Sequence, residues 1–124
     1  MSRSNKTISR YEKIVDQTDR ITIEFKSIDK TVELDKIQVE NLKGILISNI
    51  GSTSIRKFVA DVQINLYSQG NRIGFLMVTE NPDKPFVNFG SENLNFGFKL
   101  TYGIGRYLNE TESNIDIVNN YFQN

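Results

Sequence analysis

The chain contains no cysteine, no histidine and no tryptophan, and only two prolines and one alanine among 124 residues. Without cysteine there are no disulfides, no thiolate nucleophile and no Cys-ligated zinc or iron–sulfur centre. Without histidine there is no imidazole base, no Ser-His-Asp triad and no His-ligated metal. No cofactor or metal site is expected from what remains. Neither charge sign dominates, since 15 Lys+Arg face 15 Asp+Glu. A neutral chain lacks the surplus cations that sequence-blind binding to nucleic acid requires. No apolar run approaches the roughly 18 residues of a membrane span. The polar start, Met1 to Thr7, has no apolar region behind it and does not read as a signal peptide. The expected location is cytoplasmic if Met1 is the native first residue, and envelope or secreted if a signal has been removed.

The single alanine, Ala60, tilts the chain away from an all-helical fold, because alanine is the best helix former. Asn and Ile are abundant instead, with 14 and 15 copies. The length fits one domain, 1–124, with residues 1–6 expected as a disordered tail. Size scaling lets about two-thirds of the unfolded chain's surface leave water, enough for a core without staples.

Periodicity then divides the chain. Ile8, Tyr11, Ile14 and Val15 recur at helical spacing, predicting a helix over Thr7–Val15. Ile21, Ile23 and Phe25 alternate with Thr22 and Glu24 in a half-buried strand, and Val32 and Leu34 repeat the pattern. Ser27–Lys30 would close that hairpin, with Ile28 unusual for a tip. Asp35 followed by Gln38 forms a capping-box pattern ahead of a helix running to about Ser48. Its apolar stripe is Val39, Leu42, Ile45 and Leu46, and Gly44 inside it either allows close packing on a sheet or stands there by chance. Phe58–Tyr67 alternates most cleanly of all. Ser68–Asn71 reads as a turn, in which Gly70-Asn71 suits a tight hairpin, leading into a strand over Arg72–Thr79. Asn81–Pro85 reads as a loop, followed by strands over Phe86–Phe89 and Leu94–Tyr102 and a last helix from about Glu112 to Phe122.

The resulting order is α-β-β-α-β-β-β-β-α. Strands joined by short turns imply a mainly antiparallel sheet of five to six strands. Alternation implies that helices pack one face, giving a two-layer α+β domain. The expected core is Ile21, Ile23, Phe25, Leu42, Leu46, Val62, Ile64, Leu66, Phe75, Phe96, Phe98 and Leu100.

The motifs are weak carriers of chemistry. Asn95-Phe96-Gly97-Phe98 partly resembles the Phe-Gly-Phe strand with which RNA-recognition motifs stack on bases. Leu94 and Asn95 stand where Lys/Arg and Gly belong, Lys99 replaces an aliphatic residue and Thr101 the last aromatic one. Period-2 alternation assigns both phenylalanines to the core instead. Gly103-Ile104-Gly105 has the start of a dinucleotide loop, but Leu108 stands at its third glycine position. Glu24, Glu33, Asp61, Glu80 and Asp83 show no diagnostic pairing for glycosidase-type acid–base work. Glu80, Asn81 and Asp83 lack the ligand count of a calcium loop. Asn5-Lys6-Thr7 and Asn109-Glu110-Thr111 match the glycosylation pattern, which an Asn-rich chain produces by chance.

What remains is the outward sheet face: Gln63, Asn65, Tyr67, Asn95, Lys99 and Thr101, with Arg72 beside the hairpin. Asparagine is disfavoured in strands, so Asn65 and Asn95 stand against propensity there. Tyr and Arg are favoured interface anchors. The expected function is a small non-enzymatic protein-binding module, of inhibitor or toxin-neutralising (immunity) type. Its predicted contact residues are Gln63, Asn65, Tyr67, Arg72, Asn95 and Lys99. The alternatives are an accessory domain of a cell-envelope lipoprotein, and a small pocket-bearing ligand-binding protein or enzyme. Partners are expected to be protein, including further copies of the chain, with no nucleic acid and no membrane span.

Overall fold

The computed structural model describes residues 2–48, 50, 59–79, 81, 86–100, 104, 105, 107, 108 and 111. Among the described residues, two bounded helices and six strands follow in the expected order: α1 (Ser2–Gln17), β1 (Arg20–Phe25), β2 (Lys30–Glu33), α2 (Lys36–Ile47), β3 (Val62–Ser68), β4 (Asn71–Val78), β5 (Phe86–Gly90) and β6 (Asn95–Lys99). The strands form one sheet in the order β2-β1-β3-β4-β5-β6, and every neighbouring pair is antiparallel. Strands β1 and β2, β3 and β4, β4 and β5, and β5 and β6 are consecutive in the chain and adjacent in the sheet. After β2 the chain crosses by way of α2 and re-enters as β3 on the free side of β1.

Both helices pack on one face. Tyr11 and Val15 of α1, and Val39, Leu42 and Leu46 of α2, join the inward residues of the strands in a single buried cluster. The ring of Tyr11 meets Phe89, Phe96 and Phe98 at centroid distances of 5.0, 5.5 and 4.9 Å. Its hydroxyl donates to the Leu46 carbonyl at 2.7 Å, tying α1 to the last turn of α2. The Lys43 ammonium of α2 in turn donates to the carbonyls of Asp16 and Thr18, at 3.0 and 2.9 Å. It thereby satisfies acceptors that the end of α1 leaves open, where a cation also suits the helix dipole. The capping box at α2 forms as its spacing predicts, with Gln38 N donating to Asp35 Oδ1 at 2.8 Å and Asp35 N to Gln38 Oε1 at 2.9 Å. Ile28, at the β1–β2 turn, packs against the core, which accounts for an apolar residue at a hairpin tip.

Several expectations need correction. Helix α1 begins at Ser2, so the tail expected over residues 1–6 is helical from its second residue. Strand β3 starts at Val62 rather than Phe58, since its partner β1 ends at Phe25, and Val59 is exposed. The hairpin turn lies within Ser68–Asn71 as expected, and its central pair is Gln69-Gly70 rather than Gly70-Asn71, with positive φ at both (52° and 84°). That is the backbone twist two-residue hairpins favour. Gly44 packs on nothing: a Cβ built there meets no atom within 4 Å. Strand β6 ends at Lys99, and Leu100 forms an isolated bridge with Ile50. Ile104 and Gly105 are buried and helical. The helix expected over Glu112–Phe122 lies outside the described residues, as do Glu80 and 82–85 of the expected loop.

The core expectation fails at Phe75 alone. Gly74, Leu76 and Val78 face inward, while Phe75 and Met77 lie on the opposite face, half-buried. Residues 73–78 read Ile-Gly-Phe-Leu-Met-Val and show no polar alternation, so parity along β4 is set by its neighbours. A β-bulge decides it: Tyr67 pairs with Arg72 but Leu66 with Gly74, leaving Ile73 as the extra residue.

Candidate functional site

The antiparallel registers arrange the outward face in rows. One row runs Arg20–Tyr67–Arg72 across β1, β3 and β4. The next runs Thr22–Asn65–Phe75–Gly90–Asn95 across β1, β3, β4, β5 and β6. The third runs Glu24–Gln63–Met77–Asn88–Gly97 across the same strands. No described helix lies on this face.

Asn65 is the hub of the face. Its Nδ2 donates to Glu24 Oε2 at 2.7 Å and to Thr22 Oγ1 at 3.2 Å. Its Oδ1 accepts from Gln63 Nε2 at 2.9 Å and from Arg72 Nη1 at 3.4 Å. With both amide ends engaged, a polar residue of poor strand propensity can sit only 4% exposed. Asn65 therefore organises the surface and offers little of itself to a partner.

Two guanidinium groups stack on aromatic rings beside this hub. Arg20 lies 5.0 Å from the Tyr67 ring centroid and Arg72 lies 5.2 Å from that of Phe75. Arg20 also donates to Glu33 Oε1 from Nε and Nη2, at 3.0 and 2.7 Å. The hydrogen bond from Arg20 to Glu33, and then the charge of Glu33, raise the already high pKa of Arg20. The two pairs hold flat cations against flat rings, and side chains so ordered lose less freedom when a partner lands on them.

The Phe75 ring continues the surface across β5. A Cβ on Gly90 would lie 2.6 Å from Phe75 Cζ and 3.1 Å from Asn95 Oδ1, so only glycine lets this ring lie down there. On the inward face the same device recurs, with the Phe89 ring covering Gly74, where a Cβ would lie 2.8 Å from Cζ. Gln63, Asn65, Tyr67 and Arg72 are thus brought together. Asn95 joins them through Phe75 and Gly90, and Lys99 sits apart, opposite Phe86 at the far end of β6. Phe75 and Met77 belong to the face and were missed in sequence, because the unbroken apolar run of β4 hides which way each residue points.

Of the candidate carboxylates, Glu24, Glu33 and Asp61 are among the described residues, and Glu80 and Asp83 lie outside them. Glu24 is held by Asn65, Glu33 by Arg20, and Asp61 accepts from Thr79 Oγ1 at 3.4 Å. Among the described residues, no group of three acidic side chains is placed to hold a metal ion. Phe96 and Phe98, 8% and 1% exposed, face the core and present no ring to a base.

Where the outward face reaches the turn end of β4, it meets an open cleft of about 750 Å³. The cleft lies between α1, the first residues of β4 and the Ser91–Asn93 turn. Arg10 Nη2 closes one side by donating to the Asn93 carbonyl at 3.2 Å.

The fold has a counterpart among solved structures. It is similar to a crystal structure described as "Putative Lipoprotein from Clostridium perfringens", with a TM-score of 0.56 and 10% sequence identity. The likeness covers 86% of this chain and 90% of that one. No protein-family model and no curated protein matches the sequence. At this identity the likeness concerns the fold: an α+β domain with one antiparallel sheet.

Proposed function

We propose that this domain is a non-catalytic binding module that recognises a protein partner through the outward face of β3 and β4. The observation that carries the reading is the pairing of Tyr67 with Arg72 in register on that face, flanked by Arg20 and Phe75 in stacked contacts. Tyr and Arg dominate interface energetics where they are held rigidly and can be desolvated. The buried Asn65 network supplies the rigidity. The test is capture from the native source on the immobilised chain, compared with Tyr67→Ala and Arg72→Ala. A protein retained at 1:1 stoichiometry should bind each variant at least about fivefold more weakly. Equal retention by all three chains would reject the Tyr67–Arg72 surface. If the captured protein is an enzyme, its activity in the complex reports directly on an inhibitor or immunity role.

A second reading, that the domain is the folded part of a cell-envelope lipoprotein, draws support from the fold likeness across nearly the whole of both chains. Metabolic labelling of the native protein with a radioactive fatty acid tests it. A labelled protein whose gene encodes an apolar signal ending at cysteine upstream of these residues is the expected result. A native protein that begins at Met1 and carries no label would exclude it.

A further inference from the structure

The cleft beside the sheet differs in character from the face it adjoins. Three of the described residues around it are cations, Arg10, Lys13 and Arg72, against one carboxylate, Glu92. In a chain of zero net charge this is a local excess of two positive charges. None of the three cations forms an ion pair with a described carboxylate; the described ion pairs are Arg20–Glu33 and Lys43–Glu40. Arg10 and Lys13 are three residues apart on α1, so they share a helix face and repel one another there. The hydrogen bond to Asn93 holds the Arg10 guanidinium through one of its five N–H donors. Arg72 is held on the Phe75 ring. The remainder of the wall is apolar, from Ile14, Ile73 and Phe75.

We infer that this cleft binds an oxyanion, carboxylate or phosphate, joined to a short apolar group. The oxyanion sits among Arg10, Lys13 and Arg72, and the apolar group lies against Ile14, Ile73 and Phe75. An anion placed there relieves the Arg10–Lys13 repulsion and gains charge-assisted hydrogen bonds from Arg10 and Arg72, which are already held in position. The volume, about 750 Å³, falls within the range of small-molecule sites. The β-bulge places two of the lining residues. It sends Arg72 to the outward face and leaves Ile73 as an extra residue at the rim next to α1. This site adjoins the protein-binding surface and shares Arg72 and Phe75 with it, but it also draws on Arg10 and Lys13 of α1, and Tyr67 does not line it.

The test is titration of the isotopically labelled 124-residue chain, followed by amide chemical shifts. The probes are hexanoate, hexyl phosphate, hexanol, and an acetylated Gly-Gly-Leu peptide as free acid and as amide. Hexanoate or hexyl phosphate should move the amides of Arg10, Lys13, Ile73 and Ser91 saturably, and hexanol should bind at least about tenfold more weakly. Arg10→Gln and Lys13→Gln, at exposed helix positions that leave the fold intact by circular dichroism, should each lose about fivefold to tenfold in affinity. Tyr67→Ala should leave these titrations unchanged. Tighter binding of the peptide acid than of hexanoate identifies a chain terminus as the source of the carboxylate, and the reverse order a free amphiphile; either supports the site. Three results would each overturn it: no saturable shift up to about 10 mM, hexanol and the peptide amide binding as well as the acids, or both glutamine variants binding like the parent.

Discussion

Removing only the hydroxyl of Tyr11 separates two contributions that the core combines. The residue is fully buried, and its ring makes edge-to-face or tilted contacts with Phe89, Phe96 and Phe98. Its hydroxyl donates to the carbonyl of Leu46, which lies in the last turn of α2 and has no intrahelical donor. Tyr11→Phe keeps the ring contacts and strands that carbonyl, at a cost of about 1–2 kcal/mol. Tyr11→Ala also loses the ring and leaves a cavity, raising the cost to about 3–5 kcal/mol. Urea unfolding followed by circular dichroism at neutral pH measures both. The hydroxyl also predicts a pH dependence. Burial first, and then the charge of Glu12, push the Tyr11 pKa well above its ordinary value. In alkali the unfolded chain therefore gives up this proton before the folded one does. Between the two pKa values the folded state binds more protons, and stability falls as pH rises. The decline begins near pH 10, the ordinary tyrosine value, and this single group contributes a slope of up to about 1.4 kcal/mol per pH unit. Half-buried Tyr107, whose pKa burial also raises, adds a second contribution of the same sign. Tyr11→Phe should remove the first and keep the second, giving a shallower alkaline decline than the parent. Equal losses for the Phe and Ala variants, or parallel alkaline declines for parent and Phe variant, would refute this account of the core.

Gly44→Ala should raise stability by about 0.5–1 kcal/mol, since the site is helical, exposed and open to a methyl group; a loss in urea unfolding would contradict the open geometry. Gly74→Ala should lower stability by about 1–3 kcal/mol, because the new Cβ collides with the Phe89 ring, and a neutral result would mean that the ring is free to move away. Asp35→Ala should cost about 0.5–2 kcal/mol through loss of the capping box, checked by thermal unfolding; no loss would mean that water replaces the cap at no cost.

Much of this molecule is legible residue by residue. The alternation at Ile21–Phe25 and Val62–Leu66 places those side chains inward because successive residues of a strand point to opposite faces. The Asp35/Gln38 pair marks a helix start because both partners lie within one turn and need nothing else from the fold. The absence of cysteine and histidine settles which chemistries are missing without reference to any contact. The features that are not legible depend on pairing between distant segments. Phe75 faces outward because a bulge opposite Leu66 and Tyr67 shifts the register of a strand whose own pattern is uniformly apolar. Asn65 reads as an exposed polar residue until Thr22, Glu24, Gln63 and Arg72 close around it from three strands. The cationic cleft draws on residue 10 of a helix, residue 72 after a hairpin turn and the turn at Ser91–Asn93, groups that share no periodicity. Local sequence carries the rules that operate within a turn or a strand. Where one strand's face meets another element is decided by register and packing, which form only when the chain has closed on itself.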